Sequence, residues 1–283
     1  MLFVALAALS GLVWGVGDFA GGKATQSSAA LPVAWLSKLV SVPLLAFYLV
    51  ATNVAVQVGS LGWGAAGGAV GMVAMMLFYR ALSAGAMTVV APVTAVTSAA
   101  IPVVVGLLGG ERPGAVRLVG IGCALLAITL VSLSPARPGE TSVVTGRLVG
   151  LSVASGTGFA LFFIFLARAG DAAGGQAGLW PIAASQTSAL VLGGALLALL
   201  RPAPWPRTGS LRWTLLAGPF DMTANALYLL ATRQGELSLV APLAALYPVT
   251  TVILAVLVDH ERVRALQVVG LGLALVALLL VSS

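Results

Sequence analysis

Two stretches decide the fold: Ala81–Ser132, ALSAGAMTVVAPVTAVTSAAIPVVVGLLGGERPGAVRLVGIGCALLAITLVS, and Ala231–Ser282, ATRQGELSLVAPLAALYPVTTVILAVLVDHERVRALQVVGLGLALVALLLVS. They align without a gap at a constant offset (231 − 81 = 150). The matches include polar and turn-forming landmarks that shared apolar composition does not produce. Gly85 falls on Gly235, Val90-Ala91-Pro92 on Val240-Ala241-Pro242, and Glu111-Arg112 on Glu261-Arg262. Gly120 and Gly122 fall on Gly270 and Gly272. A chain that repeats itself over this distance is read as one unit used twice.

Composition says what the unit is. Of 283 residues, 60% are hydrophobic and 8% charged, against about 25% charged in a soluble domain. The mean hydropathy is +1.09. Such a chain cannot cover itself with polar surface, and it reads as a polytopic membrane protein. Its 14 Lys and Arg outnumber its 8 Asp and Glu. They are scattered over connecting loops with no aromatic-interleaved basic stripe, so they read as membrane-orientation signals and not as a nucleic-acid surface. The single cysteine, Cys123, lies in an apolar run and has no metal-ligand spacing around it. No basic residue precedes the first apolar run, so that run is expected to span rather than to be a cleaved signal.

Crossing a hydrocarbon core of about 30 Å takes about 20 residues. Ten stretches qualify, near residues 2–20, 31–51, 61–83, 87–108, 115–133, 147–167, 178–200, 211–232, 237–258 and 264–282. The loop from Arg201 to Ser210, with Pro202, Pro204 and Pro206, cannot be helical throughout. The expected organisation is a first five-helix repeat over 1–134, a connecting loop over 135–146 and a second five-helix repeat over 147–283. Five is odd, so a second copy enters the membrane from the opposite side. The fold class expected is therefore all-α membrane, ten transmembrane helices as two inverted five-helix repeats, an arrangement typical of secondary transporters. Cations near the loops number four on the side of the termini (Arg112, Arg117, Arg168, Arg233) and eight on the other (Lys23, Arg137, Arg147, Arg201, Arg207, Arg212, Arg262, Arg264). The positive-inside rule leans toward both termini outside.

Tyr79-Arg80-Ala81-Leu82, Ala91-Pro92, Gly110-Glu111-Arg112 and Gly120-x-Gly122 resemble the second part of the repeat of the EamA-type drug/metabolite transporter superfamily. So do Ala241-Pro242, Tyr247-Pro248, Glu261-Arg262 and Gly270-x-Gly272 in the second copy, and Trp14-Gly15 resembles that family's early Trp-Gly. The resemblance implies a central cavity lined chiefly by helices 1, 3, 4, 6, 8 and 9, and a small-molecule substrate, its members exporting amino acids, other metabolites or drugs. It also implies residence in a bacterial-type inner membrane. Pro248 departs from the internal repeat, since its counterpart is Ser98.

Few polar residues lie at membrane depth. In the eighth span Asp221, Asn225 and Tyr228 fall on one helical face. An aspartate at a helix centre costs about 2.5–3.5 kcal/mol, and each Leu or Phe returns about 0.3–0.6. Leu215, Leu216, Phe220, Leu227, Leu229 and Leu230 together only just offset it, so Asp221 is expected to face protein or water. It reads as a cavity-facing proton or cation site, with a structural interhelical hydrogen bond as the alternative. Asp18 shares a face with Trp14 and reads the same way, unless it reaches the nearby helix end. Lys38 and Arg80 have stems long enough to snorkel; the alternative is that one of them pairs with Asp18 or Asp221.

Pro92 and Pro242 each free a carbonyl early in a span, which suits either a kink or a cavity wall. Tyr247 can add an aromatic wall. Phe159 and Phe163 read mainly as packing, with Phe163 kept among the substrate-binding candidates beside Tyr79. Glu111-Arg112 and Glu261-Arg262 read as caps on the turns that follow the fourth and ninth spans. Gly64, Gly67, Gly68 and Gly71 are expected to admit a close helix neighbour. The sole histidine, His260, sits in a loop, and no nucleophile–base set or metal cluster can be assembled. No cofactor, metal or enzymatic activity is expected; a homodimer is left open. The function expected is secondary transport of a small organic solute, with a passive facilitator and a membrane enzyme on a lipid-linked substrate as alternatives.

Overall fold

The computed structural model describes residues 1–84, 87–133, 145–172, 178–260 and 263–283, with the side chains of 79, 82–84 and 87–88 set aside. Its elements are α1 (Leu2–Thr25), α2 (Ala30–Thr52), α3 (Val58–Ala84), α4 (Met87–Leu108), α5 (Ala115–Ser132), α6 (Gly146–Ala172), α7 (Trp180–Leu200), α8 (Thr208–Thr232), α9 (Leu237–Ala244), α10 (Tyr247–Asp259) and α11 (Ala265–Ser282). The described residues contain no strand. Nine stretches among them are long and apolar enough to cross a membrane, with Leu237–Asp259 counted as one. α8 is the exception. Its 25 residues suffice by length, but Asp221, Asn225 and its threonines dilute its apolar content, and it is covered by α1 on one side and α2 on the other.

The expected ninth helix is two helices. Pro248 has no N–H to offer the carbonyl four residues back, so the α-helical ladder cannot run through. The chain tightens instead: Leu246 N–H bonds the Leu243 carbonyl at 3.2 Å and Val249 N–H the Leu246 carbonyl at 2.9 Å. In α4 the equivalent residue is Ser98, whose side chain bonds the Ala95 carbonyl, and the helix continues despite Pro92 and Pro102.

Contacts recur at matched positions of the two halves. α1 packs along α8 and α3 along α6; α6 also meets α4 as α1 meets α9 and α10; α5 lies against α11. Ser10 Oγ donates to the Ala224 carbonyl at 2.8 Å, and Ser155 Oγ to the Ala74 carbonyl at 2.9 Å, where 224 − 74 = 150. Gly120 is covered by Leu280 and Val281, and Gly270 by Leu130 and Val131. An exchange of halves would produce this reciprocity, and it is compatible with an inverted repeat. The glycines of α3 work as expected. A Cβ on Gly64 would strike the Pro181 backbone and one on Gly68 the Ser185 carbonyl, while Phe162 covers Gly71.

Following the chain gives two ends to the bundle. Phe3 sits over Gly235, Trp180 Nε1 bonds the Val54 carbonyl at 2.9 Å, and Arg233 Nη2 the Gly178 carbonyl at 2.6 Å. These belong to the end that carries Met1. At the other end Ser28 and Ser210 share a hydrogen bond of 2.7 Å, Gln267 reaches the Leu133 carbonyl, and Lys23 pairs with Asp259.

Candidate functional site

α1 approaches α8 closely because its facing residues are small: Gly17 lies against the Ala217 carbonyl and the Asp221 amide. That contact carries Asp18 to the level of Asp221. Pro219 interrupts the α8 ladder two residues before Asp221, and Thr223 Oγ1 donates to its carbonyl at 2.7 Å. On the other flank of α8, Lys38 of α2 donates from Nζ to Asp221 Oδ2 at 2.6 Å. Pairing with Asp221, not snorkelling, is therefore the outcome for Lys38. α2 is held in place by Gln186 of α7, which donates to Ser41 Oγ at 2.6 Å while Ser41 bonds the Lys38 carbonyl at 2.7 Å.

The cluster holds two carboxylates and one ammonium. Asp18 lies in Coulombic range of both Asp221 and Lys38, and Tyr247 lies in range of Asp18. Asp18 keeps accessible surface. A charged group in a span is tolerable under that condition, because water entering between helices supplies the solvation that lipid cannot. Among the described residues Asp18 forms no ion pair. The side chains of Lys38 and Asp221 are 19% and 33% exposed, so the protein covers their pair only in part.

Towards the Met1 end the cluster is bounded by aromatic packing. Trp14, Phe163 and Tyr228 form a triangle with ring centroids 5.3, 5.7 and 5.0 Å apart. All three are buried, Tyr228 completely, and Tyr228 Oη donates to the Phe163 carbonyl at 3.2 Å. Asn225 lies between the charges and this seal. Its Nδ2 bonds the Asp221 carbonyl at 2.6 Å, while its Oδ1 is buried without a partner. Tyr247, half-buried, starts α10 at the break, against which α1 lays Gly11 and Gly15. Thr250 Oγ1, beside Gly15, is also buried and unpartnered.

The structure thus gathers Asp18, Asp221, Asn225 and Tyr247 in one place and stacks Trp14, Phe163 and Tyr228 beside them. Pro92 and Pro242 are buried in α4 and α9. The side chain of Tyr79 and the pair Glu261-Arg262 lie outside the described residues, as does most of the 135–146 loop. The cap expected of Glu111 on its own turn is made by Arg112, whose Nη1 donates to the Leu107 carbonyl at 3.1 Å. Glu111 reaches across to the first turn of α9 instead. The signal for that reach was faint: a glutamate already in a turn raised no desolvation question.

No curated protein matches the sequence. Among solved structures, a protein crystal structure superposes with a TM-score of 0.78 over 99% of this chain and 98% of that one, at 14% identity. At that identity the likeness speaks for the fold alone. The sequence pattern of the EamA-like transporter family matches residues 149–283, the second of the two copies. With its apolar helices the chain is an integral membrane protein, and its second half carries the sequence pattern of the EamA-like transporter family.

Proposed function

We propose that the chain is a secondary transporter that exports a small zwitterionic solute, an amino acid or related metabolite, by alternating access across a bacterial-type inner membrane. The observation that carries the reading is the Lys38–Asp221 ion pair with a second carboxylate, Asp18, unpaired among the described residues at the same level of the bundle. A substrate ammonium completes the neutralisation by meeting Asp18, and a substrate carboxylate competes with Asp221 for Lys38. Both exchanges replace one charge-assisted hydrogen bond by another, so entry costs little desolvation. In the empty cycle a proton on Asp18 or Asp221 balances the same charge, which links solute movement to a proton gradient. The aromatic triangle of Trp14, Phe163 and Tyr228 is the floor of the chamber on the Met1 side, and Asn225 and Tyr247 supply polar contacts at its wall. The two five-helix halves, 1–134 and 147–283, rock about this point.

The test is accumulation in sealed vesicles under an imposed proton gradient, with a panel of labelled amino acids. Saturable uptake of at least one is expected, reduced about tenfold or more by Asp18→Asn and by Asp221→Asn. Flux unchanged in both variants and in their combination would remove the acids from the mechanism. Flux that never exceeds the imposed solute gradient would make the protein a passive facilitator.

A further inference from the structure

Glu111, in the loop after α4, spends both carboxylate oxygens on the start of α9: Oε1 accepts the Leu237 N–H and Oε2 the Ser238 N–H, each at 2.8 Å. A helix start leaves such amides without intrahelical partners and carries partial positive charge, so a carboxylate is the strongest cap available to it. The donor and acceptor belong to opposite halves of the chain. Gly106, in the last turn of α4, has to lack a side chain for this, because a Cβ there would overlap the Glu111 carboxylate and lie 3.0 Å from the Ser238 amide.

The helix so held is unusual. α9 has eight residues, is buried from Ser238 to Ala244, and is severed from α10 at the tightened turn before Pro248. By contrast α10 buries only Pro248 and Thr250. Two polar groups in the seat of α9, Ser238 Oγ and Glu236 Oε2, are buried without partners. Unmade hydrogen bonds of that kind lower the cost of leaving the seat, since water would satisfy both. α9 is thus a short rigid body with a joint at its inner end and one carboxylate at its outer end.

We propose that α9 is the gate on the Met1 side of the solute chamber and that Glu111 is the positioning residue that latches it. With the latch made, α9 closes that side above the Trp14–Phe163–Tyr228 floor. With the latch broken, α9 turns about the Ala245–Leu246 joint, and Ser238 and Glu236 meet water. The inference rests on the transporter reading only in calling this movement a gate; the movement itself is measured without a substrate.

The experiment uses the full chain in detergent, with Cys123→Ala to clear the background, and follows the labelling rate by a charged maleimide. Ser238→Cys reports on the gate. Ser155→Cys, buried between α6 and α3, reports on the integrity of the bundle. Glu111→Gln keeps the shape but turns an amide donor toward one of the two N–H groups, so only one of them keeps its acceptor. The expected result is labelling of Ser238→Cys accelerated about tenfold or more by Glu111→Gln, with Ser155→Cys unchanged. No acceleration at Ser238→Cys overturns the latch. Equal acceleration at both positions overturns it too, because it would show Glu111 holding the whole bundle together rather than one gate.

Discussion

Asp221 and Lys38 stand 183 residues apart in sequence and 2.6 Å apart in space. Removing one partner leaves the other charge in a poorly solvated place, which for a fully buried pair costs about 3–5 kcal/mol. Here both side chains keep some contact with water, so about 1–3 kcal/mol is expected for Lys38→Met or Asp221→Asn alone. The double variant leaves no orphan charge, and its melting temperature in detergent should lie well above the value obtained by adding the two single losses. Strict additivity would mean the ammonium and the carboxylate do not rely on each other. The sequence said that an aspartate at that depth needs compensation, because the insertion cost is a property of the residue. It could not say from where, since the choice among Lys38, Arg80 and water depends on how the helices pack. Tyr228 is the converse case: its position on the Asp221 face was legible, but its complete burial against Phe163 and Trp14 depends on a helix from the other side of the bundle.

Close helix approach is decided by glycines, and the structure separates those that touch backbone from those that touch nothing. A Cβ on Gly68 of α3 would overlap the Ser185 carbonyl of α7, and one on Gly218 of α8 the Ser37 carbonyl of α2. Backbone cannot rotate away, so Gly68→Ala and Gly218→Ala should each destabilise by about 1–3 kcal/mol, the range for overpacking a tight contact. Gly122 and Gly272 face open space. Their alanine variants should melt within about 0.5 kcal/mol of the parent or slightly above it, since alanine is the better helix former. A Gly122→Ala loss as large as that of Gly68→Ala would contradict the packing described. At this scale helix positions were legible from hydropathy and turn residues, and the α3 glycine row was legible as a contact surface. The break between α9 and α10 was not, although its cause was visible as a proline at 248 facing a serine at 98. A proline kinks some helices and severs others, and the outcome turns on whether a neighbour takes the freed carbonyls; here α1 comes close enough, through Gly11 and Gly15, to lie against the joint.

Across the whole molecule, the two ends of the bundle can be told apart by their cations. The face opposite Met1 gathers Lys23, Arg147, Arg201, Arg207, Arg212 and Arg264 near its loops, whereas the Met1 face has Arg112, Arg117, Arg168 and Arg233. Cations resist translocation, so the richer face is expected in the cytoplasm and both termini outside. The bias is modest, and it is the cations rather than the helix packing that point to a direction. Single cysteines in a Cys123→Ala background read it directly. Asn53→Cys and Gly114→Cys, on the Met1 face, should react with an impermeant maleimide in intact cells. Gly22→Cys and Gly209→Cys, on the other face, should react only after permeabilisation. All four positions are uncovered by protein, so failure to label would not report burial within the bundle. A fully reversed pattern would keep the fold and place both termini in the cytoplasm. A mixed pattern, with two positions of one face labelling from different sides, would break the ten-crossing arrangement expected from the sequence, and with it the chamber proposed at Asp18, Lys38 and Asp221.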